Sequence, residues 1–165
     1  MALLSIAPCV RSQANAPTIT GTDLLDRLVG NWIMQGNVRG KPVEYTLTVR
    51  RILQDKYVEL HMTDAASPST YEARVIIGTA AKRDEVIAHW IDNTGAQYSV
   101  PPATGAIRGD TLVLDFPYSA RPFHDELVFD RAMGRWRFVL DAADGHGGWT
   151  RFATYDVLRR PRATR

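Results

Sequence analysis

The sequence predicts an all-β protein that forms an antiparallel up-and-down barrel of about eight to ten strands, with one short helix near its N-terminus. Three observations lead to this prediction. Apolar and polar residues alternate along most of the chain with the period of two that half-buried strands show. Turn-forming residues separate these runs at intervals of about ten residues. Only one segment has helical spacing, which argues against parallel α/β folds because those place a helix between successive strands.

The predicted helix lies directly before the first strand. The segment Thr20–Asp23 supplies residues that can cap a helix N-terminus. Four apolar residues with the spacing of one helix face follow: Leu24, Leu25, Leu28 and Val29. Gly30 then ends the segment, as glycine commonly does after the last turn of a helix.

Alternating runs follow the helix to the end of the domain. In the clearest run, Val43, Tyr45, Leu47 and Val49 occupy one face and polar residues lie between them. The apolar faces of the other runs are Val58, Leu60 and Met62; Tyr71, Ala73, Val75 and Ile77; Leu112, Leu114 and Phe116; Phe123, Leu127 and Phe129; Trp136, Phe138 and Leu140; and the stretch from Trp149 to Leu158. A sandwich and a barrel both fit such a meander. We favour the barrel because closure removes the two exposed sheet edges.

The chain of 165 residues, of which 45% are hydrophobic, has the size and composition of a single domain. We predict that this domain spans residues 21–160. Residues 161–165 are predicted to form a disordered basic tail to which no function is assigned, and no nucleic-acid partner is predicted. The sequence has no apolar run of about 18 residues or more, so no membrane span is predicted.

Residues 1–20 are predicted to be a disordered leader or the remnant of a signal peptide. They show no hydrophobic period, and the small residues Ser12, Ala14 and Ala16 before Pro17 are typical of a cleavage region. No basic segment precedes the apolar start, which leaves both interpretations open. We favour export, and therefore a periplasmic or secreted location, over a cytoplasmic one. Cys9 is the only cysteine, so the chain cannot form an internal disulfide.

Two short motifs stand out within this pattern. Gly-x-Trp occurs at Gly30–Trp32, directly after the helix, and Trp-x-Asp-x-x-Gly occurs at Trp90–Gly95. In this layout the sequence resembles the calycin superfamily, which includes lipocalins and small bacterial barrels of the DUF1579 and nitrobindin-like types. The resemblance implies a lipocalin-like barrel in which Trp32 plugs the closed base and an arginine of the last strand, here Arg159, packs over it. Such a contact is physically reasonable because a guanidinium can stack on an indole ring.

Two charged residues, Asp125 and Arg151, fall on strand faces that are otherwise apolar. Because a buried charge is costly unless it is paired, we expect them to pair with each other, to line a wet cavity, or to contact solvent at the rim. Four further residues on the same faces would give an amphipathic lining: Tyr45, Met62, Trp90 and Tyr155. These six residues are the predicted ligand-binding residues. The alternative is that they fill a solid barrel.

No metal site or cofactor is predicted. The four histidines lie in separate runs without the spacing of metal ligands: His61, His89, His124 and His146. The resemblance to nitrobindin-like proteins raises haem, because those proteins carry the iron-binding histidine on the closing strand. The corresponding stretch 150–155 contains no histidine, so haem is disfavoured.

These observations support three functional hypotheses. The leading one is a non-enzymatic protein that binds a small apolar or amphipathic molecule, which enters at the end opposite Trp32. The second is an isomerase or hydrolase in which Asp125 is the general base and Arg151 stabilises an anion. The third is a filled barrel that serves as an interaction domain without a ligand. The standard catalytic motifs are missing from the sequence, and it predicts no particular oligomeric state.

Overall fold

The computed structural model of the protein describes residues 21–80, 84–96 and 99–161. Within these residues, a single helix, α1 (Gly21–Leu28), is followed by ten strands that form a closed antiparallel barrel. The predicted fold class is therefore confirmed. The expectations for the leader, residues 1–20, and for positions 162–165 of the basic tail lie outside the described residues.

The strands follow one another around the barrel in chain order. Their bounds are β1 (Gly30–Val38), β2 (Lys41–Ile52), β3 (Tyr57–Asp64), β4 (Glu72–Thr79), β5 (Glu85–Asp92), β6 (Ala103–Arg108), β7 (Thr111–Phe116), β8 (Phe123–Asp130), β9 (Arg135–Ala143) and β10 (Trp149–Arg159). The barrel closes where β1 pairs with β10, with Trp32 opposite Arg159 and Val38 opposite Ala153. None of the described helices is long and apolar enough to cross a membrane.

One end of the barrel, called here the closed end, is sealed by α1, Trp32 and Arg159. The Trp32 Nε1–H donates to the carbonyl of Leu28, the last residue of the helix, at 2.7 Å. The Arg159 guanidinium carbon lies 3.9 Å from the centre of the Trp32 ring. Arg159 also donates to the carbonyls of Val29 at 3.0 Å and Arg27 at 3.3 Å. The last strand is thus joined to the end of the helix across the base of the barrel.

The half of the barrel next to the closed end is filled with apolar side chains. The largest of these are almost completely shielded from solvent: Trp32, Leu60, Ile77, Leu112, Leu127 and Trp136. They come from alternate positions of their strands, as the period of two predicts. The interior at this end is therefore a packed core that holds the strands in register.

The alternation breaks at the start of β10. Its pairing with β9 shifts between Arg151 and Ala153, which leaves Phe152 as the extra residue of a β-bulge. Before the bulge, Trp149 and Arg151 face outward, whereas Ala153 and Tyr155 after it face the interior. The prediction that Arg151 lies on the inner face is therefore wrong, because a strict period of two does not continue across a bulge.

Candidate ligand-binding cavity

The opposite end of the barrel, called here the open end, contains a cavity of about 610 Å³. In an antiparallel meander, alternate connections meet at the same end, so five loops surround this mouth, beginning with the turn between β1 and β2. The cavity lies inside the strand ends beneath these loops. Its volume is in the range of roughly 300 to 1,000 Å³ that is typical of small-molecule sites.

Aromatic side chains form most of the cavity wall. Among the described residues, eight aromatic side chains line it: Tyr45, Tyr71, Trp90, Phe116, Tyr118, Phe123, Phe152 and Tyr155. Their rings contact one another around the wall; for example, the ring centroids of Trp90 and Phe116 are 6.1 Å apart, nearly perpendicular. The Phe123 and Phe152 centroids are 5.1 Å apart in a similar arrangement. Such edge-to-face contacts hold the rings in place and leave an apolar surface facing the cavity.

Asp92, at the end of β5, fixes part of this wall by accepting hydrogen bonds. Its Oδ2 accepts the Trp90 indole N–H at 3.2 Å and the Tyr71 hydroxyl at 3.3 Å. Its Oδ1 accepts the backbone N–H of Thr94 at 2.9 Å, which shapes the turn that follows. The Trp-x-Asp-x-x-Gly motif therefore has a local physical role, since its aspartate orients two rings and starts the loop.

Tyr45 and Tyr155 form a second pair in the wall, on β2 and β10, the two strands that flank β1. Their ring centroids are 5.8 Å apart in an edge-to-face arrangement. Burial raises the pKa of Tyr155, and the neighbouring Tyr45 and Asp125 raise it further. Both hydroxyls therefore stay protonated at neutral pH.

Asp125 lies deep in the cavity with only 1% of its surface exposed. Leu114 and Leu140 are its partners on the two neighbouring strands. Its Oδ1 has no hydrogen-bond partner among the described residues. Burial raises the pKa of the Asp125 carboxyl well above its usual range, and the charges of Asp141 and Asp115 on the outer face add to this. These surroundings favour the uncharged acid, whose O–H can be donated.

Tyr118 supplies a second buried group without a partner. Its hydroxyl is shielded from solvent and makes no hydrogen bond with a described residue. Burial raises the pKa of this hydroxyl, and Asp125 and Asp92 contribute further. Tyr118 thus remains a donor at neutral pH.

Two arginines contribute to the lining from the loops at the mouth. The Arg39 guanidinium lies 4.9 Å from the ring centre of Phe152. Arg121 donates its Nε–H to the carbonyl of Ala143 at 3.1 Å and an Nη2–H to the Thr150 hydroxyl at 3.3 Å. Positive charge is therefore placed on both sides of the Phe152 bulge.

Four of the six predicted ligand-binding residues line the cavity: Tyr45, Trp90, Asp125 and Tyr155. Met62 instead lies in the packed core, 3% exposed. Arg151 faces the outside and forms an ion pair with Asp141 at 2.6 Å. Asp125 and Arg151 thus lie on opposite sides of the sheet, so the catalytic pair of the enzyme hypothesis does not form.

Several lining residues were missed by sequence reasoning. Phe116 and Phe123 are on apolar strand faces, and Tyr71, directly before β4, continues the alternation of that strand, so alternation could have indicated all three. Tyr118 and Arg121 come from the loop between β7 and β8, where no period exists to show which side chains turn inward.

The histidines with side-chain partners lie outside the cavity. His61 contacts Glu72 at 2.7 Å, and His124 contacts Asp115 at 2.6 Å, both on the outer face. Within the described ranges, no group of three or more histidine, cysteine or acidic side chains is arranged to hold a metal ion.

No family model matches the chain, and no curated protein matches it. Among solved structures, the S-type phycobiliprotein lyase from Guillardia theta is similar, with a TM-score of 0.60 and 11% sequence identity. The match covers 88% of this chain and 95% of the lyase chain. At this identity the similarity concerns the fold alone. Together with the closed ten-strand meander, it shows that the chain has a lipocalin-like barrel fold.

Proposed function

We propose that this protein binds a small apolar or amphipathic molecule in the cavity at the open end. The observation that carries the proposal is the cavity itself, about 610 Å³ in volume, with the buried Asp125 facing it. A polar group at this depth is costly when it lacks a partner, and a ligand atom would provide one. The similarity to a phycobiliprotein lyase supports the barrel architecture only, so the proposal rests on the cavity.

The aromatic wall would supply most of the affinity. Tyr45, Trp90 and Tyr155 are already ordered by contacts with their neighbours, so binding would not need to immobilise them. Burial of apolar ligand surface contributes about 25 cal/mol per Å² before the costs of association. Asp125 would then orient the ligand by a hydrogen bond.

A fluorescent dye tests this proposal. N-phenyl-1-naphthylamine is uncharged and fluoresces strongly only in apolar surroundings. We expect its fluorescence to rise on addition of the protein, with saturation at one site. Ala120→Trp adds a large side chain at the mouth and should weaken binding about tenfold or more, which is about 1.4 kcal/mol.

The matched control is Ala132→Trp. Ala132 is exposed like Ala120, but it lies in the turn between β8 and β9 at the closed end. The dye should bind this variant as it binds the wild type. Absence of binding to the wild type, or an equal loss in both variants, would contradict the proposal and favour a barrel that holds no ligand.

A further inference from the structure

Asp92, a carboxylate of the cavity wall, already accepts hydrogen bonds from the protein. It accepts from Trp90, Tyr71 and Thr94. A donor on the ligand would therefore compete with these three bonds for the Asp92 oxygens.

Two polar groups of the described cavity wall are left without a partner, and both can donate. The Asp125 carboxyl and the Tyr118 hydroxyl are buried, face the cavity, and lack a hydrogen-bond partner among the described residues. A protonated carboxyl and a phenol each present one O–H. Leaving such groups unpaired is unfavourable, so a ligand oxygen that accepts from either would be favoured.

Two arginine side chains place positive charge at the mouth of the cavity. Arg39 and Arg121 line the cavity, and within the described part of the chain neither forms an ion pair with a carboxylate. Arg39 stacks on Phe152, which keeps its guanidinium close to the entrance. Arg121 donates hydrogen bonds from its Nε and Nη2 to other residues of the protein and retains further N–H groups. Guanidinium groups that are not paired with a carboxylate of the protein are suited to bind a carboxylate or sulfonate of a ligand.

We infer that the ligand is an anionic amphiphile whose acidic group binds Arg39 and Arg121 at the mouth. Its apolar body would fill the aromatic cavity and carry an oxygen acceptor, such as a ketone carbonyl, toward Asp125 and Tyr118. This ligand class rests on the proposed function, since it requires the cavity to bind a small molecule. A cationic amine is the opposite case, because the two arginines at the mouth would repel it and its charge would be desolvated at the depth of Asp125.

A pair of dyes that differ by one acidic group tests whether the cavity prefers an anionic ligand. N-phenyl-1-naphthylamine is neutral, whereas 1-anilinonaphthalene-8-sulfonate adds a sulfonate to the same two ring systems. We expect the wild type to bind the sulfonate about tenfold more tightly or better. The double variant Arg39→Met/Arg121→Met should lose this preference, and the readout is the ratio of the two affinities, which should fall to about one, because both arginines line the cavity.

The control removes the same number of charges elsewhere. Arg108→Met/Arg137→Met alters two exposed arginines, one at the closed end and one on the outer face of β9. This variant should retain the preference for the sulfonate. If the neutral dye binds but the sulfonate is no tighter, or if both double variants behave alike, the ligand class is wrong while the binding function stands. If neither dye binds, the proposed function itself fails.

A neutral naphthyl ketone tests the buried donors. The emission of 6-propionyl-2-(dimethylamino)naphthalene moves to longer wavelength when its carbonyl accepts a hydrogen bond. We expect a shift to shorter wavelength in Asp125→Leu, which has no donor, and emission close to that of the wild type in Asp125→Asn, which retains one. Equal emission from the wild type and Asp125→Leu would overturn the assignment of Asp125 as a donor to the ligand.

Discussion

At the scale of single residues, Asp125 is the most informative side chain. Alternation along β8 predicts that it faces inward, and it is 1% exposed in the structure. The prediction could not supply its partner, because the candidate, Arg151, is turned outward by the bulge at Phe152. Asp125 is consequently an isolated acid in an apolar environment, which favours its uncharged form.

This isolation predicts a pH dependence of stability. Because burial raises the pKa of Asp125, the folded protein holds this proton at pH values where the unfolded chain has released it. Below the ordinary aspartate pKa of about 3.9 both states are protonated and stability is not reduced. As the pH rises from there toward the raised pKa, the free energy of unfolding falls by about 1.4 kcal/mol per pH unit from this group.

Asp125→Asn removes this effect while nearly preserving the shape of the side chain. Urea unfolding should give wild type and variant similar stabilities at about pH 4, and the variant should become increasingly more stable toward about pH 7. The pKa of His124 is raised by its hydrogen bond to Asp115, which adds a pH dependence that both proteins share. A difference between them that does not change with pH would contradict an uncharged Asp125.

At the scale of elements, α1 and most strands follow from the sequence because their apolar residues repeat with a clear period. Strand β6 (Ala103–Arg108) gives a weaker signal, since it is six residues long and contains Gly105 in place of a side chain. The bulge in β10 could not be predicted, because it depends on pairing with β9 rather than on residues within the strand. The weak signal of β6 and the unpredicted bulge of β10 both occur where interactions between strands override the local alternation of apolar and polar residues.

The contact of β10 with α1 through Arg159 also belongs to this scale. Arg159→Met should lower the free energy of unfolding by about 1 to 2 kcal/mol, because it removes the stacking on Trp32 and the bonds to the Val29 and Arg27 carbonyls. Arg137→Met, at an exposed position of β9, is the control and should change stability by less than about 0.5 kcal/mol. Equal losses from both substitutions in chemical denaturation would show that Arg159 has no special role.

At the scale of the whole molecule, the two ends of the barrel have different tasks. The closed end is filled by Trp32, Trp136 and their neighbours, whereas the open end contains the cavity. The sequence predicts the barrel and the sealed base, but it cannot give the cavity volume, which depends on how ten strands and five loops are arranged together. The mouth arginines were missed for the same reason, since they come from loops that are distant in sequence.

The four tryptophans lie in different parts of the barrel, so they can show directly where a ligand binds. Trp90 lines the cavity, Trp32 and Trp136 lie in the core near the closed end, and Trp149 is 53% exposed on the outer face. Their indole N–H signals can be followed by nuclear magnetic resonance while N-phenyl-1-naphthylamine is added. We predict that the Trp90 signal moves strongly and that the other three move little. If the Trp149 signal moved most, or if the Trp90 signal did not move under saturating dye, the result would contradict a ligand cavity at the open end.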